Sequence, residues 1–158
     1  MTGPHDVARP KVAAGALFFD EAGRVLLVKP SYKAGWEIPG GYVEPGESPR
    51  AACVRELREE LRLSPAIGGH LVVDWAPADG EGDKLLFIFD AGFLPEAVRA
   101  EISFDDGELV EWRFVDAADL DDYLPARLAR RIRTALVARE SGVPVYAEHG
   151  LPGRRPTR

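Results

Sequence analysis

Residues 41–63 read GYVEPGESPRAACVRELREELRL, and this stretch decides which fold we expect. Ser48 is a favourable N-cap residue and Pro49 suits the first helical position, so the sequence predicts a helix that runs to about Leu61. The Gly-Gly pair at 40–41 lies just before this segment. Because glycine has no Cβ, this pair lets the backbone turn tightly and approach a ligand closely.

The predicted helix carries an acidic face. At about 100° per residue, Glu56, Glu59 and Glu60 fall at i, i+3 and i+4 and share one side of the helix. The apolar side chains that point to the opposite side are Val54, Leu57 and Leu61. One side of the helix is therefore expected to pack on a core, while three carboxylates gather on the other.

Two interpretations of the acidic face follow. Like charges at i, i+4 destabilise a helix by a few tenths of a kcal/mol per pair, so the face could simply be solvated and balanced by flanking arginines. Those arginines are Arg55, Arg58 and Arg62. Alternatively, clustered carboxylate oxygens are the ligands that a hard cation such as Mg²⁺ prefers.

The segment resembles the Nudix box, the signature of the Nudix hydrolase family, G-x5-E-x7-R-E-U-x-E-E-x-G-U with U aliphatic. The positions in register are Gly41, Glu47, Arg55, Glu56, Leu57, Glu59, Glu60 and Leu63. The six positions restricted to one residue type would coincide by chance on the order of once in 10⁷ registers, at roughly 7% usage per residue. The resemblance favours the metal-binding interpretation.

The resemblance implies a role for each matching residue. The metal ligands would be Glu56, Glu59 and Glu60, with the backbone carbonyl of Gly41 or of its neighbour Gly40 as a further ligand. Mg²⁺ would be the cofactor, with Mn²⁺ as a possible substitute. The expected fold is α+β, an α/β/α sandwich in which a mixed β-sheet lies between helices.

Two other residues of the box would support its loop. The resemblance implies that Glu47 and Arg55 form a structural pair that holds the loop against the helix. One position departs from the pattern, since Arg62 stands where the family has glycine. A left-handed helix end costs a residue with a Cβ roughly 1 kcal/mol, so either the helix continues for about a turn or Arg62 adopts the strained cap.

Residues outside the box are further candidates. Glu59 and Glu60 are the candidate bases within the box. Because family members often take a base or an extra ligand from elsewhere, Glu108 is the favoured outside residue and Asp106 the second choice. The candidates for substrate binding are Lys29, Lys33, Trp36 and Tyr42, although ordinary core packing or solvation explains each of these alone equally well.

The rest of the chain predicts a single domain. We expect a flexible leader at 1–10, one domain at 11–140, and a loosely held Gly/Pro/Arg-rich tail at 141–158. The expected strands are 12–19, 24–28, 36–38, 70–75, 84–93 and 109–115. The expected helices after the first are 116–123 and 126–140.

The composition narrows the class of protein. The net charge is −6, which argues weakly against a nucleic-acid binder. A single cysteine, Cys53, excludes an internal disulfide and fits a reducing compartment. Because the sequence offers no run of about 20 apolar residues, a membrane span is not expected, and the predicted location is cytoplasmic.

The leading functional hypothesis is Mg²⁺-dependent hydrolysis of the diphosphate linkage of a nucleoside diphosphate joined to another group, such as ADP-ribose or a nucleotide sugar. A second hypothesis is a housecleaning nucleoside triphosphate pyrophosphohydrolase. A third, from a different class, is a Nudix-like domain that senses a nucleotide without cleaving it. The expected partner is a small nucleotide rather than nucleic acid or a membrane, and a homodimer is possible.

Overall fold

The computed structural model describes Gly3 and residues 5–153. The strands are β1 (Lys11–Phe19), β2 (Val25–Pro30), β3 (Gly40–Tyr42), β4 (His70–Trp75), β5 (Lys84–Phe93), β6 (Leu109–Val115), β7 (Val145–Glu148) and β8 (Leu151–Pro152). The helices are α1 (Pro49–Leu61), α2 (Glu96–Arg99) and α3 (Ala126–Ser141), with a 3₁₀ helix over Ala117–Asp122. Within the described part of the chain, no helix is long and apolar enough to cross a membrane.

The strands form one mixed sheet in the order β6-β2-β1-β5-β4-β7-β8, and β3 pairs with β1 beside this path. β1 is parallel to β5 and β4 is parallel to β7, whereas the other pairs are antiparallel. Successive side chains of a strand point to opposite faces, so each face needs its own cover. One apolar cluster packs under α3 and the other under α1. The predicted α+β sandwich is therefore confirmed.

Helix α1 begins and ends as its sequence indicates. The Ser48 hydroxyl accepts a hydrogen bond from the backbone N–H of Ala51 at 3.0 Å, and Pro49 opens the helix. Leu57 and Leu61 are fully buried against the sheet. Of the two alternatives for the end of the helix, the structure shows the strained cap, because Arg62 has φ 60° and ψ 27°.

Two sequence-based expectations are wrong. Residues 36–38 were expected to be a strand, but only Glu37 pairs there, in an isolated bridge with Val28, and the strand proper is β3. The loose tail expected at 141–158 is instead ordered over much of its length. β7 joins the sheet next to β4 and β8 pairs with β7, since the unpaired edge of β4 offers backbone groups that need partners. Residues 154–158 lie outside the described residues.

Candidate functional site

The acidic face of α1 lies directly against the Gly40–Gly41 pair. The side-chain oxygen Oε2 of Glu60 accepts a hydrogen bond from the backbone N–H of Gly40 at 3.2 Å. A Cβ on Gly41 would lie 2.5 Å from the carboxyl carbon of Glu56. Gly40 has φ 150°, and a Cβ there would lie 2.2 Å from the carbonyl oxygen of Ala14. Both glycines are therefore needed for the carboxylates and β3 to approach this closely.

Arg55 is the centre of an ion-pair network. Its Nε and Nη2 donate to the two carboxylate oxygens of Glu47 at 2.8 and 2.9 Å, a bidentate arrangement, and Nη2 also donates to the carbonyl of Tyr42 at 3.1 Å. Its Nη1 donates to Glu56 at 2.9 Å and to Glu59 at 3.2 Å. The structure thus brings together Glu47 and Arg55, the pair expected to hold the loop against the helix.

The charges in this network shift the ionisation of its members. The hydrogen bonds from Arg55 lower the pKa of Glu47 to about 2, and the same contacts raise the pKa of Arg55. Burial raises the pKa of Glu60 to about 9, and the nearby negative charges of Glu56 and Glu37 add to that rise. Burial also raises the pKa of Glu56, although the neighbouring Arg55 opposes it. Positive charge beside Glu60 would therefore stabilise its ionised form.

The three expected metal ligands differ in how far their side chains are exposed to solvent. Glu60 is only 5% exposed, while the Glu59 side chain is 53% exposed. Within Gly3 and residues 5–153, no group of three or more His, Cys, Asp or Glu side chains lies in an arrangement that could hold a metal ion. The physical reason is that Glu59 turns towards Arg55 and Glu60 towards the N–H of Gly40.

Two observations indicate that the side chains of Glu56, Glu59 and Glu60 still suit a hard divalent cation. The donor atoms are carboxylate oxygens, and the Glu56 carboxylate lies so close to the Gly41 backbone that a Cβ there would collide with it. Because Glu59 is largely exposed, its side chain can exchange Arg55 for a cation by rotation alone.

A cleft of about 360 Å³ opens beside the two glycines. Its lining includes Gly40, Gly41 and Tyr42 from β3, Lys33 from the preceding loop, Lys84 from β5 and Arg131 from α3. A volume of this size suits a small organic ligand. The cleft therefore places cations and an aromatic ring next to the carboxylate cluster.

The other predicted candidates occupy different places. Tyr42 lines the cleft, and so does Lys33. Trp36 does not; it packs edge-to-face on Tyr123, with 5.7 Å between ring centroids, as part of the core under α3. Lys29 pairs with Glu111 in the sheet and is likewise absent from the cleft lining.

The acidic loop that precedes β6 is held in place but does not line the cleft. The carbonyl of Glu108 accepts a hydrogen bond from the N–H of Ser31 at 2.8 Å, and Asp106 accepts one from the N–H of Glu108 at 3.0 Å. The Glu108 side chain is exposed. Burial raises the pKa of Tyr32, and the negative charges of Glu37, Glu60 and Glu108 raise it further. These groups therefore lie in one region of the molecule.

Sequence reasoning missed several residues of the cleft. Glu37, Glu81, Lys84 and Arg131 all line it. Lys33 and Glu37 form an ion pair at 2.8 Å, but they lie outside any helix, so their i,i+4 spacing gave no signal of proximity. The sequence gave none for Arg131 either, because its partner Asp74 lies 57 residues earlier.

Comparisons with known proteins agree with this geometry. A family model for the NUDIX domain matches residues 9–137. The chain is 27% identical over 135 residues to the RNA pyrophosphohydrolase of Roseobacter denitrificans, an alignment that covers 74% of this chain and 84% of that protein. It is 33% identical over 114 residues to the ADP-ribose pyrophosphatase of Methanocaldococcus jannaschii, covering 70% of this chain and 64% of that protein.

A solved structure supports the fold separately. The MutT protein from Methanosarcina mazei Go1 superposes with a TM-score of 0.69 at 22% identity, covering 87% of this chain and 99% of that chain. The names of the relatives support phosphoanhydride hydrolysis as the reaction class. With a family model matched over most of its length, the chain belongs to the Nudix hydrolase family.

Proposed function

We propose that the protein hydrolyses the diphosphate linkage of a nucleoside diphosphate joined to another group, such as ADP-ribose or a nucleotide sugar, with Mg²⁺ as cofactor and Mn²⁺ as a substitute. The observation that carries the proposal is the position of the carboxylates. Glu56 and Glu60 lie against Gly40 and Gly41 at the edge of a cleft that Lys33, Lys84 and Arg131 also line. A substrate in this cleft would present its phosphates to the carboxylate cluster.

The proposed roles follow from these positions. Glu56, Glu59 and Glu60 would hold the divalent ion together with the carbonyl of Gly41. Such an ion neutralises phosphate charge and makes a bound water more acidic. Arg55 would keep the loop of the box in place through its bidentate contact with Glu47.

The chain's own carboxylates would manage the proton. Attack of a water oxygen on phosphorus breaks one P–O–P bond, and the proton of that water passes to a carboxylate oxygen of Glu59 or Glu60. Glu108 is the proposed alternative base from outside the box. Its carbonyl is fixed by Ser31, which keeps the acidic loop close to the loop that carries Lys33.

The substrate class is supported by the cleft and by one relative. A cleft of about 360 Å³ accommodates a nucleoside-sized group, and the M. jannaschii relative is named for ADP-ribose. A second candidate, removal of pyrophosphate from a triphosphate, is favoured by the name of the R. denitrificans relative. A sensing role without cleavage is less favoured, because a non-catalytic domain has no need for three clustered glutamates.

The test is a substrate panel with Mg²⁺ or Mn²⁺. It contains ADP-ribose, nucleotide sugars, dinucleoside polyphosphates, NADH, nucleoside triphosphates and a 5′-triphosphorylated oligoribonucleotide. We expect cleavage of a diphosphate-linked nucleoside, with kcat lowered about 100-fold or more in Glu59→Gln or Glu60→Gln. Glu140→Gln, at an exposed position of α3, is the matched control. Cleavage of triphosphates alone would favour the second candidate, and no cleavage of any compound would favour the sensor.

A further inference from the structure

A buried ion pair forms one wall of the cleft. Arg131 on α3 is 8% exposed, and its Nε donates to Oδ2 of Asp74 on β4 at 2.5 Å. Asp74 is fully buried, and its other oxygen accepts the N–H of Gly150 at 2.9 Å. The guanidinium is therefore fixed by a carboxylate whose two oxygens are both hydrogen-bonded. Such a group is held in one orientation before any ligand arrives.

Part of the Arg131 guanidinium has no hydrogen-bond partner among Gly3 and residues 5–153. Only its Nε donates a hydrogen bond to a residue of the described chain, while Arg131 also lines the cleft. Among the described residues, the side-chain atoms that are both buried and without a hydrogen bond do not include either Nη atom of Arg131. Both Nη atoms are therefore accessible to solvent. Since Arg131 lines the cleft, the space open to its two Nη groups is assigned to the cleft, where they would offer parallel N–H donors in the fork geometry that binds two adjacent acceptor atoms.

The charges around the cleft are balanced in pairs. Lys33 pairs with Glu37 and Lys84 pairs with Glu81, just as Arg131 pairs with Asp74. The uncharged part of the lining is mostly apolar or small, and it includes Ala13, Gly15, Ile38, Leu86, Ile88 and Leu128. A cleft with paired charges and apolar walls suits an uncharged, flat, hydrogen-bonding group better than a polyphosphate, whose charge the carboxylate-bound cation would balance instead.

We propose that Arg131, oriented by Asp74, determines nucleobase specificity by donating two parallel hydrogen bonds to a base with two adjacent acceptors. Guanine offers O6 and N7, and cytosine offers O2 and N3. In adenine, N1 and N7 each lie beside the N6 amino donor, and in uracil O2 and O4 each lie beside the N3–H donor, so these edges cannot accept both bonds. The inference rests on the proposed function in that it assigns the cleft to the nucleoside end of the substrate.

The test measures binding without turnover. The full chain is titrated calorimetrically, in EDTA, with GMP, CMP, AMP and UMP. We expect GMP or CMP to bind about tenfold to hundredfold more tightly than AMP and UMP, the discrimination typical of a bidentate contact. Arg131→Lys, which keeps the charge but loses the fork, should abolish this preference.

Two further variants keep the test decisive. A lysine at position 131 keeps the charge but does not reproduce the Nε contact with the buried Asp74 carboxylate, so Arg131→Lys also tests the stability of the fold. The double variant Arg131→Gln with Asp74→Asn removes both charges and keeps an acceptor for the N–H of Gly150. Arg139→Gln is the matched control. Arg139 lies on the same helix as Arg131 and forms an ion pair with Asp90, but it does not line the cleft.

The outcomes separate this inference from the proposed function. Loss of base preference in the folded double variant, with preference retained in Arg139→Gln, supports the assignment. A wild-type protein that binds all four nucleotides equally, or binds none at millimolar concentration, overturns it. A variant that changes thermal stability but not preference overturns it too, because Arg131 would then be purely structural. If the base preference is present but no compound of the panel is hydrolysed, only the proposed function fails.

Discussion

Gly41→Ala should raise the Mg²⁺ requirement for activity while leaving the fold intact. The added Cβ would lie 2.5 Å from the carboxyl carbon of Glu56, about 1 Å closer than carbon atoms normally approach. Overpacking of this kind costs about 1–3 kcal/mol when neighbouring atoms must shift. Here the Glu56 side chain can rotate away, which would break its 2.9 Å contact with Arg55 and displace one proposed metal ligand.

The measurement compares activity with stability. If the overpacking cost of about 1–3 kcal/mol weakens the free energy of metal binding, the Mg²⁺ concentration for half-maximal rate should rise about 5- to 150-fold. Urea unfolding monitored by circular dichroism should change much less. Gly69→Ala is the control, because a Cβ there has nothing within 4 Å. A Gly41→Ala enzyme with wild-type Mg²⁺ dependence would refute the role assigned to the contact between Gly41 and Glu56.

Two further predictions concern ionisation and helix termination. Arg55 depresses the pKa of Glu47 from 4.5 to about 2, so the stabilisation from this pair is fully present above about pH 4.5 and is lost as the pH falls towards 2. The difference in melting temperature between the wild type and Glu47→Gln should therefore shrink below pH 4.5, and a difference that is constant from pH 7 to 3 would contradict the ion-pair explanation. Arg62→Gly removes the cost of a left-handed Cβ residue, roughly 1 kcal/mol, while losing an ion pair with Asp105 that is largely exposed and worth little. The melting temperature should rise by about 2–4 °C, and a decrease would show that the Asp105 contact dominates.

The sequence predicts those parts of the molecule that local rules determine. Ser48 and Pro49 mark the start of α1 because N-capping depends on residues within one turn. The shared face of Glu56 and Glu60 follows from helical periodicity, and the contact of Glu47 with Arg55 followed from the resemblance. These features involve residues at most eight positions apart.

The features that sequence reasoning missed depend on distant pairing. β7 lies beside β4 although some 70 residues separate Val72 from its partner Val145, and nothing within residues 141–153 indicates that neighbour. A tryptophan such as Trp36 is equally suited to stacking on a base and to filling a core. Its edge-to-face contact with Tyr123 places it in the core. Residue type alone could not distinguish these possibilities.

The distribution of charge connects the fold to the proposed chemistry. Three of the five arginines of α3 are paired with carboxylates: Arg131 with Asp74, Arg133 with Asp121 and Arg139 with Asp90. Their positive charge is thus matched by acidic residues of the sheet and the 3₁₀ helix. On α1, by contrast, the single guanidinium of Arg55 contacts Glu47, Glu56 and Glu59 together, and Glu60 lies buried beside them. One positive charge cannot balance the three carboxylates that it contacts, so the excess of negative charge is concentrated where a divalent cation would be most strongly attracted, and such a cation would also favour the ionised form of Glu60.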